Sequence, residues 1–134
     1  MGRFEEYDFE KMKIFGDPTI TVTKNGAINF NAGLMHKYIK SRDYLILHYD
    51  KLDKRVGFEF MMEKSSKAFR IRKAKNNNYG TIAARSFLKY YDIPYNVTSK
   101  FLVARDKETK FLVINLKKQE KDKDDNKENK VDPF

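Results

Sequence analysis

The chain of 134 residues contains no cysteine and no tryptophan, and it has only three prolines, six glycines and two histidines. Without cysteine there is neither a disulfide framework nor a thiolate zinc site. His36 and His48 lack the spacing of metal ligands, so no metal site is predicted. Phosphate-binding glycine loops and nucleophile motifs are also missing. We therefore expect no catalytic residue and no cofactor, and the chain is not predicted to be an enzyme.

Long apolar runs are missing as well. No run approaches the roughly 20 residues that span a bilayer, so no membrane partner is predicted. Residues 1–15 alternate acids with aromatics and do not resemble a signal peptide. The expected location is the cytoplasm, in association with the nucleoid if the protein binds DNA. Hydrophobic residues, at 40% of the chain, suffice for one compact core.

Positive charge is in excess and unevenly distributed. The whole chain carries a formal charge of +9. Residues 1–18 hold three bases and five acids, and residues 117–134 hold six of each. Residues 19–116 therefore hold 19 bases and 8 acids, a net charge of +11. Such a charge favours binding to polyanions. The alternative is that it serves solubility alone.

Local patterns predict a sequence of strands, turns and short helices. The alternation Thr-Ile-Thr-Val-Thr at 19–23, followed by Asn25-Gly26, is typical of a β-hairpin. Asn31 is placed to cap a helix over 32–39. Further strands are predicted at 27–30, 44–49, 55–60, 69–74, 81–84, 101–105 and 111–116, with a second helix beginning at 86–91.

The order of these elements is repeated. At an offset of 54 residues, Ile28 coincides with Ile82 and Leu34 with Leu88. At an offset of 56, Asp50-Lys51 coincides with Asp106-Lys107. An internal duplication is therefore predicted. We divide the chain into an N-terminal arm at 1–18, a first ββαββ unit at 19–62, a second at 63–116 within the same compact domain, and a disordered charged tail at 117–134.

The first unit resembles the AbrB/MazE/SpoVT swapped-hairpin family. The resemblance rests on Ile20-x-Val22 before the Gly26 turn, Ile28-x-Phe30 after it, and Val56-x-Phe58 in the last hairpin. The tandem copies resemble the MraZ arrangement. The resemblance implies a mainly β protein with short helices (α+β), in which tandem ββαββ units form a pseudo-twofold, swapped-hairpin-like β-barrel. It also implies DNA binding and transcription regulation. Ala27 departs from the family, which often has a basic residue after the turn glycine.

Eight residues are the candidate nucleic-acid-binding positions: Lys24, Asn25, Arg70, Arg72, Lys73, Lys75, Asn77 and Arg85. The first two lie at the tip of the first hairpin, the region with which the family approaches DNA. In the strand at 69–74, Arg70 and Arg72 face one side if Phe69 and Ile71 face the core. Each has a simpler alternative, namely a turn selected for its backbone geometry or a solvated strand face.

The predicted function is therefore a non-enzymatic, small DNA-binding transcriptional regulator, with duplex DNA as the favoured partner. Two alternatives stay open. One is a protein-interaction module, of the antitoxin-like or phage-accessory kind, and the other is a single-stranded nucleic-acid binder that uses tyrosine rings. Association of two chains into a homodimer is compatible with the twofold symmetry that most oligomers adopt.

Overall fold

Two antiparallel five-stranded sheets form most of the protein in the computed structural model, which describes residues 16–118. The strands are β1 Thr19–Val22, β2 Ala27–Phe30, β3 Tyr44–Asp50, β4 Arg55–Met61, β5 Phe69–Arg70, β6 Arg72–Lys73, β7 Gly80–Ala83, β8 Ser99–Leu102, β9 Ala104–Arg105 and β10 Leu112–Asn115. Sheet A has the order β6-β7-β2-β1-β8, and sheet B has the order β5-β3-β4-β10-β9. This confirms a mainly β fold. The predicted arm, apart from its last three residues, and the predicted tail, apart from its first two, lie outside the described residues.

Three short helical segments connect the strands. They are α1 at Ala32–Leu34, which continues directly as a π-helix at Met35–Ile39, a 3-10 turn at Lys75–Asn77, and α2 at Arg85–Tyr90. Asn31 caps α1 as predicted, because its Oδ1 accepts the backbone N–H of Leu34 at 3.0 Å. The same Oδ1 accepts the N–H of Thr19 at 3.0 Å, which joins the helix start to the first strand.

The first hairpin follows the predicted alternation. Ile20 and Val22 are buried, while the threonines between them are half-buried on the opposite face. Gly26 has a φ of +87°, in the left-handed region that glycine adopts without strain. A β-carbon at this position would lie 2.9 Å from Cβ of Arg85, so the turn also needs the space that glycine leaves.

The wide helical turn at Met35–Ile39 ends in an unusual conformation at Lys40. The backbone N–H of Lys40 donates to the carbonyl of Met35 at 2.7 Å, five residues back, and Lys40 has a φ of +52°. Its own carbonyl accepts from Lys73 Nζ at 3.1 Å and from Asn77 Nδ2 at 3.4 Å. The end of the first helix is thus held by side chains from the second half of the chain.

Strands from both halves pair directly in each sheet. In sheet A, β2 lies beside β7 with Ile28 opposite Ile82. In sheet B, β4 lies beside β10 with Gly57 opposite Val113. The two halves therefore share both sheets, as expected for units within one compact domain.

The predicted closed barrel is wrong, because the sheets are open. The strands predicted to run unbroken through 69–74 and 101–105 are each divided, at Ile71 and at Val103. Ile71 is buried, and its N–H donates to the carbonyl of Asp43 at 2.9 Å rather than to a ladder partner. As a result β5 belongs to sheet B and β6 to sheet A, and the ladder is interrupted between them.

One hydrophobic core lies between the sheets. Phe30 of sheet A is fully buried, and its ring centroid lies 6.0 Å from those of both Phe58 and Phe60 of sheet B. Both contacts are edge-to-face, the geometry that aromatic rings prefer. Gly80 also faces the core, where a β-carbon would lie 2.6 Å from the sulfur of Met35.

An arginine links the two equivalent hairpin turns of sheet B. Arg55 donates to Asp50 Oδ2 from Nη2 at 2.9 Å and from Nε at 3.2 Å. Its Nη1 lies 3.9 Å from Asp106 Oδ1. The hydrogen bond from Arg55 lowers the pKa of Asp50, and hydrogen bonds from the N–H and hydroxyl of Thr109 lower the pKa of Asp106.

These two carboxylates are expected to make folding sensitive to acid. Because their pKa values are lower in the folded than in the unfolded chain, their stabilisation is present above the unfolded value of about 3.9 and is lost as the pH falls through the folded values. The urea midpoint should therefore decrease between about pH 5 and about pH 2. The Asp50→Asn variant should lose less stability over this range than the wild type. An equal loss in both proteins would contradict the assignment.

Candidate nucleic-acid interface

Five side chains form a polar row across the outer face of sheet A. Strand registers place Arg72 opposite Thr81, Thr81 opposite Asn29, Asn29 opposite Thr21, and Thr21 opposite Lys100. We call these five residues the polar row. The central three are half-buried, and the cations at its two ends are exposed. With strands about 4.8 Å apart, the α-carbons at the two ends lie about 19 Å from each other.

The outer face of sheet A carries no acidic side chain on its strands. Besides the polar row, the outward positions are Thr19, Ala27, Ala83 and Leu102. Sheet B differs, since Asp50 and Glu59 are among its outward positions. Within residues 16–118, no carboxylate lies within 4 Å of the Arg72 guanidinium or the Lys100 ammonium. The outer face of sheet A is therefore a surface of short side chains with positive charge at both edges.

The Thr81 hydroxyl orients the amide at the middle of the row. Thr81 Oγ1 donates to Asn29 Oδ1, with 2.6 Å between the oxygens. The Asn29 amide nitrogen has no hydrogen-bond partner among the described residues. An oriented amide donor at the centre of a flat face suits an acceptor such as a base edge or a phosphate oxygen.

Three of the predicted site residues meet at the β1–β2 turn, and we call them the turn cluster: Lys24, Asn25 and Arg85. Arg85 Nη2 donates to the carbonyl of Asn25 at 2.8 Å, although the residues are 60 positions apart. The N–H of Lys24 donates to Thr98 Oγ1 at 3.1 Å, beside the start of β8. The turn cluster thus lies at the end of β1 and β2, beside the outer face of sheet A.

The structure does not bring the other predicted residues to one place. Arg70 and Arg72 are exposed, as the alternation predicts, but Arg70 pairs with Tyr44 of sheet B. Lys73 points toward the core side, where its Nζ lies 2.9 Å from Asp43 Oδ1 and its side chain is 18% exposed. Asn77 is half-buried and also contacts Lys40, whereas Lys75 is exposed. Lys73 and Asn77 are thus engaged in contacts that hold the helix end.

A second concentration of positive charge lies on the opposite side of the core. A pocket of about 400 Å³ is lined by five cationic side chains, and we call it the cationic pocket: Lys37, Lys40, Arg42, Arg105 and Lys110. Its other polar and aromatic walls include Tyr38, Glu59 and Phe111. None of these residues was a predicted site position.

Strand pairing over long sequence distances explains why the sequence alone misses these residues. Lys100 joins the polar row only because β8 pairs with β1, and Arg105 reaches Tyr38 only through the tertiary fold. The strict alternation at 19–23 already indicates that Thr21 faces outward. No local signal indicates which strand lies beside it.

Within residues 16–118, no group of three or more metal-ligating side chains comes together. No helix of the same region has the length and apolar character needed to cross a membrane. Comparisons of the chain with family models, curated proteins and solved structures find no match. The resemblance to the swapped-hairpin family therefore stays a prediction from the sequence.

Proposed function

We propose that this protein binds nucleic acid, with duplex DNA as the favoured partner, through the outer face of sheet A and the turn cluster. The observation that carries the proposal is the polar row, which has Arg72 at one edge, Lys100 at the other, and no acid on the face between them. Such a protein acts by binding alone, as a small regulator of transcription does, and needs no catalytic set.

The dimensions of this face suit a groove of DNA. A major groove is about 12 Å wide, and edge cations about 19 Å apart span it and reach phosphates on both sides. The short threonine and asparagine side chains between them allow the strands to come close to the base edges. Sheets and ribbons that bind DNA use strands in this way, with phosphate contacts that position and base contacts that specify.

The tandem duplication belongs to the same proposal. Two ββαββ units related by a pseudo-twofold axis account for both cross-pairings of the halves. At the offset of 54, Ile28 and Ile82 exchange places, and at the offset of 56, Gly57 and Val113 do. Both pairs lie where such an axis would cross the sheets. Lys54 and Lys110, also 56 residues apart, share the rare positive φ, at 57° and 70°.

A salt titration of duplex DNA binding tests the proposed function. Arg72, Lys100, Lys24 and Arg85 supply four cations, so the logarithm of the binding constant should fall with the logarithm of salt concentration with a slope of about −3 to −4. The measurement is fluorescence anisotropy with a labelled duplex between about 50 and 200 mM salt. Affinity without a salt slope would overturn the proposal. Tighter binding of a single strand of equal length would assign the face to unpaired nucleic acid instead.

A further inference from the structure

The cationic pocket lies apart from the polar row and calls for a separate explanation. It is bordered by the end of the first helix, by β4, and by the β9–β10 hairpin. Five cations face one carboxylate, Glu59, whose Oε1 already lies 3.0 Å from His48 Nε2. The charge within the pocket is therefore strongly positive, and like charges held close together are unfavourable unless an anion joins them.

Two arginines of the pocket are fixed by contacts that leave other donor atoms available. Arg105 Nη1 donates to the carbonyl of Lys110 at 2.8 Å, and its guanidinium carbon lies 5.2 Å from the centre of the Tyr38 ring. Arg42 Nη1 donates to the carbonyl of Tyr38 at 3.4 Å. A guanidinium has five N–H donors, so each retains donors for a ligand while its orientation is restricted.

The π-helix sets the positions of the two lysines on the other wall. Lys37 lies within the wide turn, and its ammonium is 5.4 Å from the centre of the Tyr38 ring. Lys40 follows at the positive φ, with its carbonyl held by Lys73 and Asn77. Single wide turns of this kind are frequent at functional sites. Here the turn places lysine side chains opposite Arg105 and Lys110.

The pseudo-equivalent position in the other half is packed closed. Tyr49 stands 56 residues before Arg105. Its ring centroid lies 4.8 Å from that of Tyr91 and 6.4 Å from that of Phe87. Packing between rings closes one half, whereas the other half keeps an open volume with cations around it. The difference between the copies is concentrated at the cationic pocket.

We infer that the cationic pocket binds an anion that carries two or more phosphate groups. A single phosphate would balance about two of the five cations, whereas a triphosphate or several adjacent phosphodiesters would balance most of them. A volume of about 400 Å³ exceeds the need of one phosphate and is within the range of pockets for small ligands. Arginine supplies paired donors to phosphate oxygens, and lysine supplies a point charge. The inference goes beyond the proposed function and does not depend on it.

Isothermal titration with inorganic triphosphate tests the inference. We expect a dissociation constant on the order of 10 to 100 µM at low salt. The Lys37→Gln/Lys40→Gln double variant should weaken binding about tenfold, because it removes two ammonium groups while keeping the backbone contacts of Lys40. The matched control is Arg72→Gln/Lys100→Gln, which lowers the net charge equally on sheet A. This control should bind triphosphate as the wild type does, whatever becomes of DNA binding.

Backbone amide shifts on the wild-type protein provide a readout that needs no variant. Triphosphate should shift residues 37–42 and 105–111 more than Thr21, Thr81 or Lys100. The source of the phosphates is distinguished by an oligonucleotide with a 5′-triphosphate and by the same strand with a 5′-hydroxyl. Tighter binding of the first strand than of free triphosphate would assign the pocket to strand ends, and equal binding would assign it to free anions. Absence of binding at about 1 mM triphosphate, or equal losses in both double variants, would overturn the inference.

Discussion

Replacing Phe30 with alanine is expected to destabilise the protein by about 3 to 5 kcal/mol, the range measured for phenylalanine truncations in well-packed cores. Phe30 has no exposed surface and contacts two rings of the opposite sheet, each with its centroid 6.0 Å away. Truncation removes the hydrophobic contribution of the ring and leaves a cavity that Phe58 and Phe60 cannot fill from fixed strands. A loss of this size is a large part of the total stability of a small domain.

The measurement is urea unfolding followed by far-ultraviolet circular dichroism. Because Phe30 belongs to sheet A and its partners to sheet B, one core serves both sheets, and the variant should unfold in a single transition at lower urea. Phe30→Leu is the matched control and should lose less, about 1 to 1.5 kcal/mol, since most of the buried volume is kept. Two separate transitions, or a loss below about 1 kcal/mol for the alanine variant, would show that the sheets do not share this core.

Reversing both charges at the ends of the polar row, Arg72→Glu with Lys100→Glu, is expected to weaken duplex DNA binding on the order of a hundredfold at about 50 mM salt. Each phosphate contact contributes about 0.9 to the salt slope, which amounts to roughly a tenfold gain in affinity at this concentration. Two lost contacts therefore give about a hundredfold, and the salt slope should become shallower by about 2.

Lys51→Glu with Lys107→Glu is the matched control for this experiment. It changes the net charge by the same amount, but at the exposed turns after β3 and β9 in sheet B. If the outer face of sheet A is the interface, the control should bind within about threefold of the wild type. Equal losses in the two double variants would show that only total charge matters, and would remove the assignment of the face.

Much of the local structure can be predicted from the sequence, because short-range physics determines it. The alternation at 19–23, the glycine of the first turn and the cap at Asn31 each act within a few residues. The offset between the copies likewise follows from residue order alone. For the strand at 69–74, alternation predicts which side chains face inward, although not that the strand bends at Ile71 to join two sheets.

The candidate sites depend on contacts that the sequence does not encode locally. Lys73 is one of several exposed-looking bases in a basic stretch, and only the tertiary fold places it against Asp43. Lys100 and Thr21 face each other across a strand pair formed by residues 79 positions apart. Strand order and register result from global packing, so composition can indicate a basic surface without indicating which bases share it.

The pairing of β2 with β7 and of β4 with β10 has a consequence for the covalent link between the halves. Residues 62–68 join them, and each half by itself would present an open ladder edge in both sheets, a template for association with other chains. The link holds the two complementary edges at a high effective concentration, so correct pairing within one chain competes with pairing between chains. Cleavage within 62–68 should therefore leave the halves assembled, whereas separate synthesis of one half would favour aggregation.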